Sequence, residues 1–275
     1  KDDTIESISC QSIGELFERR NNEMELWIVG SGCSIPTKRR GAPGYILRIG
    51  AKHLLLDGGS GTMYKLPQLG IDYRRINYIL YTHLHPDHTA DLVPLLFAFK
   101  NDPRGARREE LHIIGPPGFE KYWQGLQNLY QPNWLELLPF PVELCEVARS
   151  QRKFPSFTLK SSPVRHNVIN VAFRIESDEG VSLVYSGDSG YCQELAELAR
   201  GAEVLLMDSS FPEGEGTDNH LTPTQAGSIA QQAGSRKLIL THLYPQCDPH
   251  ILKRQAASTF QGEVIVAEDG MKLVL

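Results

Sequence analysis

The stretch I-L-Y-T-H-L-H-P-D-H, residues 79–88, decides how the rest of this chain is read. An apolar run (Ile76, Tyr78, Ile79, Leu80, Tyr81) has the character of a buried strand, and four potential metal ligands follow it within six positions, His83, His85, Asp87 and His88. Side chains of an extended segment alternate, which sends His83, His85 and Asp87 to one side, and a turn at Pro86 swings His88 toward the same space. His83 and His85 can grip one cation while Asp87 and His88 serve a second. Imidazole together with carboxylate suits zinc, with manganese or iron chemically compatible.

Outward from this stretch, the same residue types recur at the ends of other strand-like runs. Residues 24–30, 45–49 and 53–56 read as strands, the last leading into D-G-G-S-G-T, which sets Asp57 where it can orient a ligand histidine. Residues 63–69, 89–99 and 119–130 read as helices, with Pro94 as a kink in the second, and residues 111–115 as a strand. The chain then turns strand-rich at 142–147, 154–159, 162–165, 171–175 and 181–185, with His166 and Asp188 just beyond two of these runs. A strand at 203–207 ends at Asp208. A helix at 222–232 carries Pro223 in its first turn and follows His220. A strand at 237–240 ends at Thr241 and His242, a helix covers 249–258, and 263–267 reads as the closing strand. Strands that lead into helices on both sides of a strand-rich middle imply two packed sheets with helices outside. His53, His112 and His250 read as structural.

The bulk properties narrow the function. With 275 residues the chain can bury a sizeable core, and its formal charge of -5 argues against a general nucleic-acid coat. A polyanion has to meet a local patch, and P-T-K-R-R-G at residues 36–41 offers one, with Lys38 and Arg40 as a clamp for a phosphate group. The cysteines, Cys10, Cys33, Cys145, Cys192 and Cys247, include no C-x-x-C pair, which indicates neither a disulfide framework nor a thiolate zinc site. With no signal-peptide pattern and no apolar stretch near the roughly 20 residues a bilayer requires, the expectation is a cytoplasmic protein without a membrane partner. The expected organisation is an extension over residues 1–23 packed on the body, followed by one hydrolase domain over residues 24–275.

H-L-H-P-D-H, then a lone His166, then Asp188 in S-G-D-S, then T-H at His242, taken in that order, resemble the metallo-β-lactamase superfamily. The resemblance covers nearly everything from residue 24 onward and implies an α/β fold, an αβ/βα four-layer sandwich of two mixed β-sheets with helices outside. It further implies two divalent metal ions, Zn2+ ahead of Mn2+ or Fe, the first held by His83, His85 and His166 and the second by Asp87, His88 and His242. Asp188 is then the anionic bridge that two neighbouring cations require. Within the superfamily, P-T-K-R-R-G is similar to the P-x-K-x-R-N loop of the ribonuclease Z branch, with Gly41 where an Asn is usual. M-D-S-S-F at residues 207–211 is similar to that branch's H-E-A-T-F, and H-L-T at residues 220–222 to its H-S-T.

One departure bears on the substrate. Only 21 residues separate His166 from Asp188, where ribonuclease Z proper inserts a long arm that grips transfer RNA. The expected substrate is therefore a smaller phosphodiester, a cyclic nucleotide or short RNA. In the expected reaction a water acidified between the cations attacks phosphorus, with Asp87 at the centre and Lys38 or Arg40 offsetting the charge that develops. His220 protonates the departing oxygen and Asp208 holds its ring. Three alternatives stay open: a ribonuclease Z-type endonuclease acting at transfer-RNA 3' ends, a lactone or thioester hydrolase, and a non-catalytic nucleotide- or RNA-binding member. Relatives of this kind are often dimers, so a homodimer belongs to the expectation.

Overall fold

The structure is a computed structural model and describes residues 24–105, 107–130 and 138–275, so the expected extension over residues 1–23 lies outside the described residues. The first half of the chain supplies β1 (Met24–Gly30), β2 (Gly44–Ile49), β3 (Lys52–Gly58), β4 (Ile76–Leu80), β5 (Leu111–Gly115) and β6 (Val142–Glu146). Between them run α1 (Thr62–Gln68), α2 (Pro86–Thr89), α3 (Leu92–Asn101) and α4 (Phe119–Leu129). The second half supplies β7 (Ser150–Phe154), β8 (Phe157–Pro163), β9 (Val171–Ser177), β10 (Ser182–Tyr185), β11 (Val204–Asp208), β12 (Lys237–Thr241) and β13 (Glu263–Val266). Its helices are α5 (Gln193–Ala199), α6 (Pro223–Ala233) and α7 (Pro249–Ala257), and β14 (Lys272–Val274) crosses back to the first sheet.

The strand orders are β14-β1-β2-β3-β4-β5-β6 and β13-β12-β11-β10-β9-β8-β7. In each sheet, antiparallel neighbours give way to parallel ones, β3 to β6 in the first and β10 to β13 in the second. A parallel pair cannot close through a tight hairpin and needs a crossover, which accounts for the helices in those halves. Leu26, Leu47, Leu56, Phe157, Phe173, Ile175 and Leu206 fill the space between the sheets. Leu66, Leu95, Leu96 and Phe119 join the helices of the first half to one outer face, and Leu195, Ile229 and Leu252 join those of the second half to the other. The result is the αβ/βα sandwich expected from the sequence. Because the central strands are covered on both faces, they read as near-continuous apolar runs, as β11 (V-L-L-M-D) does.

This architecture concentrates chemistry at one place, the region beyond the carboxyl ends of the parallel strands, where open α/β sheets bind ligands. β3 ends into Asp57, β4 is followed by His83, β10 by Asp188, β11 ends in Asp208 and β12 is followed by His242. Two buried hydroxyls tie the sheets together there, Tyr45 against Thr241 at 2.8 Å and Tyr185 donating to Asp57 at 2.6 Å.

The local elements differ from the sequence reading in four respects. The helix expected over residues 89–99 is two helices, α2 and α3, and Pro94 sits in the first turn of α3, where its missing N–H removes no intrahelical bond and causes no kink. The strand expected over residues 154–159 is a hairpin turning at Pro155 and Ser156, since a proline ends ladder pairing between two aromatic flanks, Phe154 and Phe157. Residues 263–267 do not close the chain, because β14 follows and pairs with β1, and α5 was not foreseen. Among the described residues no helix is long and apolar enough to cross a membrane, and Cys33, Cys145, Cys192 and Cys247 are free thiols.

Candidate metal centre

Four of the five histidines expected to hold metal, His83, His88, His166 and His242, present one ring nitrogen to a fixed hydrogen-bond partner and the other to a shared interior. His88 Nδ1 lies 2.8 Å from Asp57 Oδ2, His83 Nδ1 3.0 Å from Thr82 Oγ1, His242 Nδ1 2.8 Å from Ser210 Oγ, and His166 Nδ1 3.1 Å from the Asn219 carbonyl. The hydroxyls of Thr82 and Ser210 donate to Asp57 and Asp208, which leaves their lone pairs to accept from the imidazole N–H groups. With Nδ1 protonated in this way, the lone pair resides on Nε2, the form a cation requires.

The Nε2 atoms converge on Asp188. His88 Nε2 and His242 Nε2 each stand 3.2 Å from Asp188 Oδ1, His83 Nε2 3.8 Å and His166 Nε2 4.0 Å from Oδ2, and Asp87 Oδ2 3.7 Å from His242 Nε2. His85 Nδ1 is 3.5 Å from His166 Nε2. Ligand atoms of His83, His85, His166 and Asp188 form one group within 4.8 Å of one another, those of Asp87, His88 and His242 a second, and those of Asp188, Asp208, His220 and His242 a third. The structure thus brings His83, His85 and His166 together, and Asp87, His88 and His242 together, with Asp188 common to the first and third groups. Four of these atoms, His83 Nε2, His88 Nε2, His242 Nε2 and Asp188 Oδ1, are buried with no hydrogen-bond partner. Unsatisfied buried polar atoms are costly, at about 1–3 kcal/mol each, so four aimed at one point fit a group of charge that satisfies them all. Divalent cations match this donor set.

The electrostatics agree. Burial on its own raises the Asp188 carboxyl, yet the imidazoles of His242 and His88 outweigh it and hold the group well below the usual carboxylate range. Burial pushes His83 well down and His166 down, keeping both neutral. Burial also lowers His88, but Asp188 and Asp57 override it and hold that ring well above its ordinary value, so the two carboxylates favour positive charge at this point.

Asp57 and His242 both adopt positive φ, 51° and 60°, a region that costs a non-glycine residue about 1 kcal/mol or more. For Asp57 the compensation is explicit: its carboxylate, fully buried, accepts from Thr82 N, Thr82 Oγ1, His88 Nδ1 and Tyr185 Oη. Gly59, two residues on, lets α2 approach, since a Cβ there would stand 1.8 Å from the Asp87 carbonyl oxygen.

His220 differs from the other rings. Its Nδ1 lies 2.8 Å from Asp208 Oδ2, and its side chain is 14% exposed where His83 and His88 show none. Burial lowers it, but the charge of Asp208 dominates and pushes it up to about 9. Asp208 is itself fixed by Ser189 N, Ser210 N and Ser210 Oγ. A capping box between Thr222 and Gln225 starts α6 directly behind this histidine.

The basic loop divides its cations. Arg40 Nη1 donates to Ser31 Oγ at 2.7 Å and to the Ala267 carbonyl, so this side chain ties the loop to the body. Lys38 is exposed. Thr82, Ser210, Tyr185 and the Asn219 carbonyl were not singled out in the sequence; the adjacency T-H at Thr82 and the D-S-S run at Asp208 are the signals that point to the first two. A further group, Glu110, His112 and Glu143, lies on the surface, where His112 Nδ1 is 2.6 Å from Glu143.

Comparison with known proteins places the chain. A family described as Beta-lactamase superfamily domain matches residues 53–243. Ribonuclease Z of Mycobacterium bovis is 29% identical over 270 residues, covering 90% of this chain and 96% of that protein. An uncharacterized protein of Mycobacterium tuberculosis is 31% identical over 250 residues, 88% of each. The solved structure of the metallo-beta-lactamase fold protein YhfI from Bacillus subtilis superposes with a TM-score of 0.81 at 25% identity, over 92% of this chain and 100% of that one. The fold, the order of the site residues and these likenesses agree, and the chain belongs to the beta-lactamase superfamily.

Proposed function

We propose that this protein is a metal-dependent phosphodiesterase whose substrate is a small phosphodiester, a cyclic nucleotide or a short RNA or oligonucleotide. The observation that carries the reading is the convergence of three orphaned imidazole nitrogens on Asp188, whose Oδ1 is orphaned too, beside an Asp208–His220 pair in which the histidine is partly exposed and the carboxylate buried. In this reading His83, His85 and His166 hold one cation, Asp87, His88 and His242 a second, and Asp188 lies between. Bound there, divalent cations, with zinc favoured by the donor set, supply Lewis acidity toward a phosphoryl oxygen and acidify the hydrolytic water.

The chain's own groups then have defined tasks. His220 carries a proton at neutral pH, and with Nδ1 held by Asp208 the proton available to substrate is the one on Nε2. As the water oxygen bonds to phosphorus and the phosphorus–oxygen ester bond breaks, that proton passes to the departing alkoxide. Asp208 fixes the ring and stabilises the imidazolium. Lys38, exposed on a loop that Arg40 anchors, offers its charge to substrate phosphate beside the centre, and Arg40 contributes through loop position.

Size follows from the segment between His166 and Asp188. It contains β9, a turn and β10 and nothing that protrudes as an arm, which favours a small phosphodiester over transfer RNA. The relatives named ribonuclease Z support a second reading, cleavage of a longer RNA. Turnover by the zinc- and manganese-loaded protein tests both. Cyclic nucleotides and short RNA are expected to be cleaved faster than precursor transfer RNA, a lactone or a thioester. Preferential cleavage of a lactone or thioester would remove the phosphodiesterase reading.

A further inference from the structure

Beside the metal centre lies a cleft of about 780 Å3, within the size range of small-molecule sites. Three segments line it: the loop bearing Lys38, Arg39 and Arg40, the segment from Tyr244 to Pro249, and the turn at Glu268 and Asp269. Lys65 also lines it, so four cations face two carboxylates and the cleft favours an anion. Asp269 is already engaged, accepting from Ser31, the Gly41 amide and Lys65 Nζ at 2.5 Å, while Arg40 is held by Ser31 and Ala267. Lys38 and Arg39, both exposed, are left to meet a ligand's charge.

Tyr244 joins the cleft to the metals. Its ring packs on Phe211 with centroids 4.6 Å apart, and stands 6.1 Å from the His242 ring and 6.4 Å from the His220 ring in edge-on geometry. One aromatic side chain therefore borders both the cleft and the two histidines, and it is only partly buried. An aromatic face that shares a cleft with exposed cations is the combination by which proteins hold single-stranded nucleic acid, through base stacking and phosphate charge.

We propose that this cleft seats a second nucleotide, its base against Tyr244 and its phosphate at Lys38 and Arg39, so that the substrate is a linear oligonucleotide of at least two residues. The proposal rests on the phosphodiesterase reading above and chooses between the two substrate classes it names. A cyclic mononucleotide has both ester arms of its phosphate closed on one ribose and has no second nucleoside to place there.

The test is equilibrium binding to the metal-loaded protein by calorimetry, using a linear dinucleotide with a P–CH2 link in place of the scissile bond and a 3',5'-cyclic mononucleotide phosphonate of the same design. The linear ligand is expected to bind at least tenfold more tightly. Tyr244→Ala should remove about tenfold of its affinity and Tyr244→Phe should retain it, as stacking requires the ring and not the hydroxyl. A Lys38→Ala, Arg39→Ala double variant, altered only on an exposed loop, should weaken the linear ligand and flatten its salt dependence. Equal or tighter binding of the cyclic ligand, or full affinity in folded, metal-loaded Tyr244→Ala, would overturn the proposal. Turnover separates the two levels: hydrolysis of bis-p-nitrophenyl phosphate without a linear preference defeats the cleft assignment alone. Tight linear binding without hydrolysis of any phosphodiester upholds the cleft and defeats the phosphodiesterase reading.

Discussion

Asp57 and His88 are wholly buried and joined through Nδ1 at 2.8 Å, and they come from opposite ends of the segment that carries the metal-ligating run. Partners of this kind fix a ligand imidazole's tautomer and angle, and their loss commonly costs 10–100-fold in metal affinity. Asp57→Asn keeps the volume but weakens acceptance from Thr82, His88 and Tyr185 together. Competition with a chromophoric chelator should show at least a tenfold drop in affinity for one cation; unchanged affinity would mean that His88 is not a ligand.

His220→Ala should lower phosphodiester turnover by about 100-fold or more while metal content stays at the wild-type level. Substrates with a good leaving group, such as a p-nitrophenyl ester, should lose less, since they need no proton. Loss of metal together with activity would make His220 a ligand, a role its place in the group with Asp188 and His242 makes worth checking.

The Asp208–His220 pair also sets a pH dependence of stability in metal-free protein. The His220 ring is pushed up to about 9 in the folded chain and titrates near 6.5 when unfolded. A raised folded value gives stability that is complete below about pH 6.5 and disappears as pH rises through about 9, worth on the order of 3 kcal/mol. Between these limits the melting temperature of wild type should fall more than that of His220→Gln. Parallel profiles would show that the pair is not ionic.

The two-residue spacing from Asp57 to Gly59 provides a structural prediction. Because a Cβ at Gly59 would stand 1.8 Å from the Asp87 carbonyl oxygen and 2.6 Å from the Ala42 side chain, Gly59→Ala has to displace α2. The expected outcome is a melting temperature lowered by several degrees with impaired loading of metal, and a variant with native melting and native metal content would contradict the placement of α2.

The candidate ligand residues were legible because most stand just beyond a strand, so an apolar run leading to His or Asp marks them even where 80 residues intervene, as between His85 and His166. The groups that hold those candidate ligands were not legible. Ser210 and Thr82 are ordinary hydroxyls whose role arises only when His242 and His83 fold onto them. The basic loop shows the same limit: Lys38 and Arg40 read alike as charge, and only packing against Ser31 and Ala267 separates the anchor from the exposed cation. The β7–β8 hairpin was missed because Phe154 and Phe157 make the apolar pattern run straight through the turn, and β14 because three residues carry too little periodicity.

The most direct measurement is the metal content per chain after equilibrium dialysis of wild type and Asp188→Ala against zinc. Asp188 stands between the two groups, its orphaned Oδ1 3.2 Å from His88 and His242 and its Oδ2 facing His83 and His166, so two cations per wild-type chain and less than one in the variant are expected. Wild type that retains none, or a variant that retains both, would contradict the account.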